Sequence, residues 1–84
     1  MTVIFTGKGK VARIINMDNV LQIVRREGCP RALRFIYGVD ECGNPRGLDI
    51  DIGSEFGADH VLDAILVAKE SGQECVIIDE AELR

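Results

Sequence analysis

Five consecutive residues limit this chain more than any others. Leu48-Asp49-Ile50-Asp51-Ile52 alternates apolar and acidic side chains without a break. A period of two fits an extended strand, because a helix would scatter both classes around its circumference. Leu48, Ile50 and Ile52 must then face a core, and Asp49 and Asp51 must face water. Such a strand needs a neighbour to pair with and a layer to cover it, so an all-helical fold is excluded.

The neighbour lies just upstream. Residues 33–39 (LRFIYGV) are aromatic and aliphatic, and residues 40–47 are rich in turn formers. Setting Val39 opposite Leu48 pairs Tyr37 with Ile50 and Phe35 with Ile52, which leaves Ile36 as the one large side chain on the outer face. Residues 2–6 (TVIFT) and 10–16 (KVARIIN) read as two more strands, joined by Gly7-Lys8-Gly9, whose glycines admit the positive φ of a hairpin turn. Residues 74–79 (ECVIID) read as the last strand.

Two segments read as helices. In residues 18–27, Val20, Leu21, Ile23 and Val24 gather on one side, Asp18 or Asn19 offers an N-cap, and Gly28-Pro30 stops the run. In residues 58–71, Val61, Leu62, Ile65 and Ala68 form a stripe, with a cap within residues 54–57 and a stop at Gly72. The expected order is therefore ββαββαβ: one α+β domain over residues 1–84, with a mostly antiparallel or mixed sheet and two helices on one face. From Lys10 onward this is the βαββαβ order of a ferredoxin-like variant, although the opening strand then competes for an edge that is already taken. The polar residues 80–84 are expected to fray.

A chain of 84 residues without Trp must build its core from Ile, Val and Leu. So small a domain leaves much of its surface exposed, which makes a homo-oligomer the expected state. Cys29, Cys42 and Cys75 are odd in number and form no CxxC pair. No basic-then-apolar leader pattern opens the chain, and no apolar run approaches the roughly 18 residues of a membrane span. These features imply a cytoplasmic protein with reduced thiols, each packed as a small buried or half-buried side chain, and no membrane partner.

Charge is divided by position. Residues 1–39 carry seven Lys and Arg against two acids, whereas residues 40–84 carry three against twelve. In the first half, Gly7-Lys8-Gly9-Lys10-Val11-Ala12 resembles the G-x-G-x-x-A dinucleotide fingerprint, with Asp40 in the place of the ribose acid. That resemblance implies a helix directly after the loop. A single helix over residues 11–24 would point its apolar side chains in every direction, so the segment reads as a hairpin with Lys8 and Lys10 guarding an edge. Arg25, Arg26, Arg31 and Arg34 cluster near the end of the first predicted helix, where the helix dipole favours cations. An acidic chain with few aromatics argues against direct nucleic-acid binding.

In the second half, Asp49 and Asp51 share a strand face and Asp59 and Asp63 stand one turn apart on the following helix. No metal-ligand spacing accompanies them, and His60, the single histidine, has no partner motif for catalysis. Mutual repulsion within such a cluster makes sense if it meets a positive surface, so neutralising it is expected to leave the fold intact or slightly stabilised. The expectation is a non-enzymatic protein–protein interaction module without a cofactor. It would act as an inhibitor, adaptor or regulatory subunit through Asp49, Asp51, Asp59 and Asp63 on a partner with a basic surface. The alternative is a nucleotide- or anion-binding sensor or sequestering protein, with Gly7, Lys8, Gly9, Lys10, Arg25 and Arg26 forming the site, between subunits in an oligomer.

Overall fold

The structure, a computed structural model, describes residues 1–83. The chain forms β1 (Thr2–Gly7), β2 (Lys10–Asn16), β3 (Gln22–Arg26), β4 (Cys29–Val39), β5 (Pro45–Asp51), α1 (Glu55–Glu70) and β6 (Cys75–Asp79). Short 3-10 turns occupy Met17–Asn19 and Glu80–Leu83. The strands make two three-stranded sheets, ordered β2-β1-β6 and β3-β4-β5. β1 is antiparallel to β2 and parallel to β6, and the second sheet is antiparallel throughout. The class is α+β as expected, but there are two sheets and one α-helix instead of one sheet and two helices.

The missing helix is the principal correction. Its residues form the Met17–Asn19 turn and β3, which pairs Ile23 with Phe35 and Arg25 with Leu33. A ten-residue helix is marginal in isolation, and β-branched Ile23 and Val24 gain more from a strand ladder. Gly28 explains the ambiguity. Its φ of 78° is needed after a helix and equally in the hairpin turn that joins β3 to β4. Pro30 falls beside the register shift at Arg25/Arg26, where its missing N–H is tolerated, and its carbonyl accepts a hydrogen bond from Arg25 Nη1 at 3.3 Å.

The hairpin between β1 and β2 forms as expected. Lys8 (φ 53°) and Gly9 (φ 74°) both take positive φ, the pattern of a type I′ turn, and residues 10–16 are extended. The fingerprint reading therefore lacks its helix. The β4–β5 register is displaced by four residues from the expected one: Phe35 faces Leu48 and Leu33 faces Ile50. The cause is a tighter loop. Asp40 Oδ1 accepts from the backbone N–H of both Cys42 and Asn44 at 2.9 Å, so β5 can begin at Pro45. An even displacement keeps the same face inward. A shift between Ile36 and Gly38 interrupts the ladder at Tyr37, which is exposed.

One core joins the two sheets and the helix: Val3, Phe5, Val76 and Ile78 from the first sheet, Leu33, Phe35 and Ile50 from the second, and Ala58, Val61, Ile65 and Ala68 from α1. Ser54 caps α1, accepting from Gly57 N–H at 2.9 Å and donating to the Leu83 carbonyl at 2.8 Å. Through this contact Leu83 is buried, so the 3-10 turn over Glu80–Leu83 is anchored where fraying was expected. Arg84 lies outside the described residues. No helix among those described is long and apolar enough to cross a membrane.

Candidate functional site

Alternation along β5 sends Asp49 and Asp51 to the outer face of the second sheet, away from the core that α1 covers. There the register meets them with arginines from the other half of the chain. Arg34 lies directly across from Asp49 and grips it with both prongs, Nε to Oδ1 at 2.7 Å and Nη2 to Oδ2 at 3.1 Å. Arg26 approaches the same carboxylate at 3.8 Å, and Arg31 approaches Asp51 at 3.3 Å. Asp59, in the first turns of α1, pairs with Arg25 on β3. Arg25, Arg26, Arg31 and Arg34 thus neutralise three of the four acids expected to meet a partner.

The hydrogen bonds from Arg34 hold the Asp49 carboxyl below its usual range, against an opposing desolvation and with lesser attraction from the charges of Arg34 and Arg26. Arg34 is raised in turn by the same contact. All these groups stand in water, where screening keeps each pair weak. They bear on where free charge remains. Replacing all four aspartates would strand four arginines, so a small loss of stability now replaces the expected neutral or favourable effect.

Asp63 stands apart from the other three. It is exposed on α1 and forms no ion pair among the described residues. With His60, Ala64, Val67, Cys75 and Ile77 it lines a shallow groove of about 390 Å³ between α1 and β6. The hydrophobic members are unusually open, Ile77 being 69% exposed and Val67 58%. Sequence reasoning missed this groove because residues 74–79 were read only as a strand, with neither face assigned. The signal available was the polar or acidic residue at alternate positions of residues 75–79, which left Ile77 on the wrong side of the alternation.

The basic residues of the alternative site are dispersed. Gly7 and Lys8 border a hollow at the β1–β2 turn together with Glu80 and Ala81, and no arginine lines it. A Cβ on Gly7 would stand 2.8 Å from Glu80 Oε2, so a carboxylate already lies against this turn. Arg25 and Arg26 are engaged with Asp59 and Asp49 on the other sheet. Asp40, the candidate ribose acid, closes its own loop. Among the described residues no group of three or more His, Cys, Asp and Glu converges as a metal site. The three thiols are free; Cys29 is half-buried, while Cys42 and Cys75 are exposed where burial was expected.

Comparison with protein-family models, curated proteins and solved structures returned no match.

Proposed function

We propose that the protein is a small non-enzymatic interaction module, an inhibitor, adaptor or regulatory subunit, that captures a partner through an acidic surface fitted to basic side chains. The observation that carries this reading is the location of the charge left over after internal pairing. Of the ten acids without an ion-pair partner among the described residues, seven (Glu55, Asp63, Glu70, Glu74, Asp79, Glu80 and Glu82) lie on α1, the loop after it, β6 or the turn that follows. Lys69 is the one basic side chain described on these elements. A surface of one sign steers association and selects against like-charged partners. Asp49, Asp51 and Asp59 contribute less, because arginines already screen them.

The anion-binding alternative draws less support, since Arg25 and Arg26 hold carboxylates and Glu80 lies against the Gly7–Lys10 turn. The test uses immobilised protein against cell extract, with two variants that remove charge at different places. The expected outcome is a protein retained by the native chain and by Asp49→Asn/Asp51→Asn, released by salt, and lost with Asp63→Asn/Glu70→Gln/Glu74→Gln. Equal retention by both variants, or no salt-sensitive retention at all, would refute the reading.

A further inference from the structure

Two open-edged sheets give this fold four edge strands: β2, β6, β3 and β5. An unpaired edge is a template for unwanted association, and natural proteins guard it with charges, Pro or bulges. Three of the four are guarded. β2 carries Lys10 and Arg13 and a register shift in its ladder with β1. β3 carries Arg25 and Arg26 and a register shift. β5 opens on Pro45, carries Asp49 and Asp51, and has a shift in its ladder.

β6 has none of these devices. Its five residues, Cys75-Val76-Ile77-Ile78-Asp79, pair in unbroken register with β1. The single charge is at its last position, where Asp79 Oδ1 is occupied in accepting from Ala81 N–H at 2.9 Å. The direction of its backbone groups follows from one bond. Thr2 N–H donates to the Glu74 carbonyl at 2.9 Å, so in this parallel ladder Glu74, Val76 and Ile78 turn their backbone groups toward β1. Cys75 and Ile77 then turn theirs outward along the open edge. Beside that edge runs the groove floored by Ala64, Val67 and Ile77.

We propose that the open edge of β6 accepts an extended segment of a partner protein as a fourth strand of the β2-β1-β6 sheet, one in which lysine or arginine alternates with aliphatic residues. Backbone bonds to Cys75 and Ile77 would supply the pairing, and the groove beside α1 would receive alternate aliphatic side chains. Charge selects the occupant. Asp63 lines the groove, and Glu74 and Asp79 stand exposed at the two ends of the strand, all without basic partners among the described residues. A second copy of this chain fits poorly. Antiparallel pairing of two β6 strands would bring Asp63, Glu74 and Asp79 of one copy up to the same acids of the other, and like charges brought together are unfavourable. A basic strand reverses that sign. This inference rests on the proposed basic partner and adds the mode by which it is held.

The test is fluorescence anisotropy with a labelled hexapeptide of alternating lysine and valine. Three controls accompany it: the same peptide N-methylated at alternate residues, a glutamate-for-lysine version, and the protein variant Ile77→Lys. Ile77 points outward, so this variant guards the edge without touching the core. Saturable binding is expected, with a loss of about tenfold or more on N-methylation and on Ile77→Lys. Equal binding of the N-methylated peptide overturns strand addition while leaving an electrostatic acidic surface standing. Equal binding of the glutamate peptide leaves the edge standing and overturns the basic partner, and with it the choice of occupant. No saturable binding of the lysine peptide up to about 1 mM overturns the inference. So does a native dimer, seen by light scattering, that Ile77→Lys splits into monomers, since a second copy would then occupy the edge.

Discussion

The two sheets have the same number of strands and share one core, yet they treat their outer faces in opposite ways. On β3-β4-β5 the outer face is a lattice of charge, with Asp49 held by Arg34 and Arg26 and Asp51 by Arg31. On β2-β1-β6 the corresponding face sets Ile14, Ile4 and Ile77 in one row across all three strands, with Ile14 62% exposed. The lattice neutralises itself and leaves little for a partner to meet. The isoleucine row and the bare β6 edge leave apolar surface beside unbalanced acids. In the proposed reading, then, unsatisfied charge and unguarded backbone mark the partner surface where density of charged residues does not.

The comparison presumes that both sheets stand on the same core, and the largest effect tests that. Phe35 is 1% exposed and belongs to the common cluster. Phe35→Ala should cost about 3–5 kcal/mol in urea unfolding, with backbone hydrogen exchange accelerated in both sheets together. Loss confined to β3-β4-β5 would mean the sheets are independent units.

A smaller effect separates the sheets at the helix. At Gly57 an added Cβ would lie 2.7 Å from the Leu83 carbonyl oxygen and 2.9 Å from Ile52 Cγ2. Gly57→Ala should therefore destabilise by about 1–3 kcal/mol, with amide shift changes concentrated in residues 75–83 and sparing β3. Uniform changes across both sheets would break the distinction.

The ion-pair lattice should respond to pH, and the isoleucine row should not. The folded Asp49 carboxyl lies below its ordinary value because Arg34 donates to it. Its contribution to stability is present above the ordinary carboxylate range and is lost as pH falls through the depressed folded value. Asp49→Asn should thus cost a small amount of stability near neutrality, and the difference from the native chain should vanish well below about pH 4. A difference that persists unchanged in acid would show that the pair is not responsible.

The smallest expected effect is the counterpart on the other sheet. Ile14→Thr should change stability by no more than about 0.5 kcal/mol at any pH, because the side chain is already largely in water. A larger loss, measured by thermal unfolding, would mean that the row is covered.

How much of this was legible in the sequence depends on how local each signal is. The strand at Leu48–Ile52 and the helix stripe at Val61, Ile65 and Ala68 are written in short-range periodicity, and both appear as expected. The Gly7–Lys10 turn is similarly local. Residues 18–27 failed because four apolar and two basic residues shortly before Gly28 satisfy a helix with a C-terminal glycine and a strand entering a hairpin equally well. Only pairing with β4 decides between them. The candidate acids were located on the right elements, but their neutralisation depended on a register four residues away from the expected one. In the register that pairs Val39 with Leu48, Arg34 has no acid directly across from it; in the observed one it stands opposite Asp49. The β6 edge was not legible, because strand order across sheets is a property of the whole chain.

That strand order also sets when the molecule can be completed. The second sheet is built from one continuous stretch, residues 22–51, through two hairpins. The first requires β1 at the start of the chain to find β6 near its end, with Thr2 paired to Cys75 and Thr6 to Asp79. Loop closure over that separation is slow relative to hairpin formation. During synthesis the β1–β2 hairpin must therefore wait, with one side of β1 unpaired, until the last tenth or so of the chain has emerged. Truncation after α1 would leave β3-β4-β5 with its local ladder and remove the central pairing of β2-β1-β6 altogether.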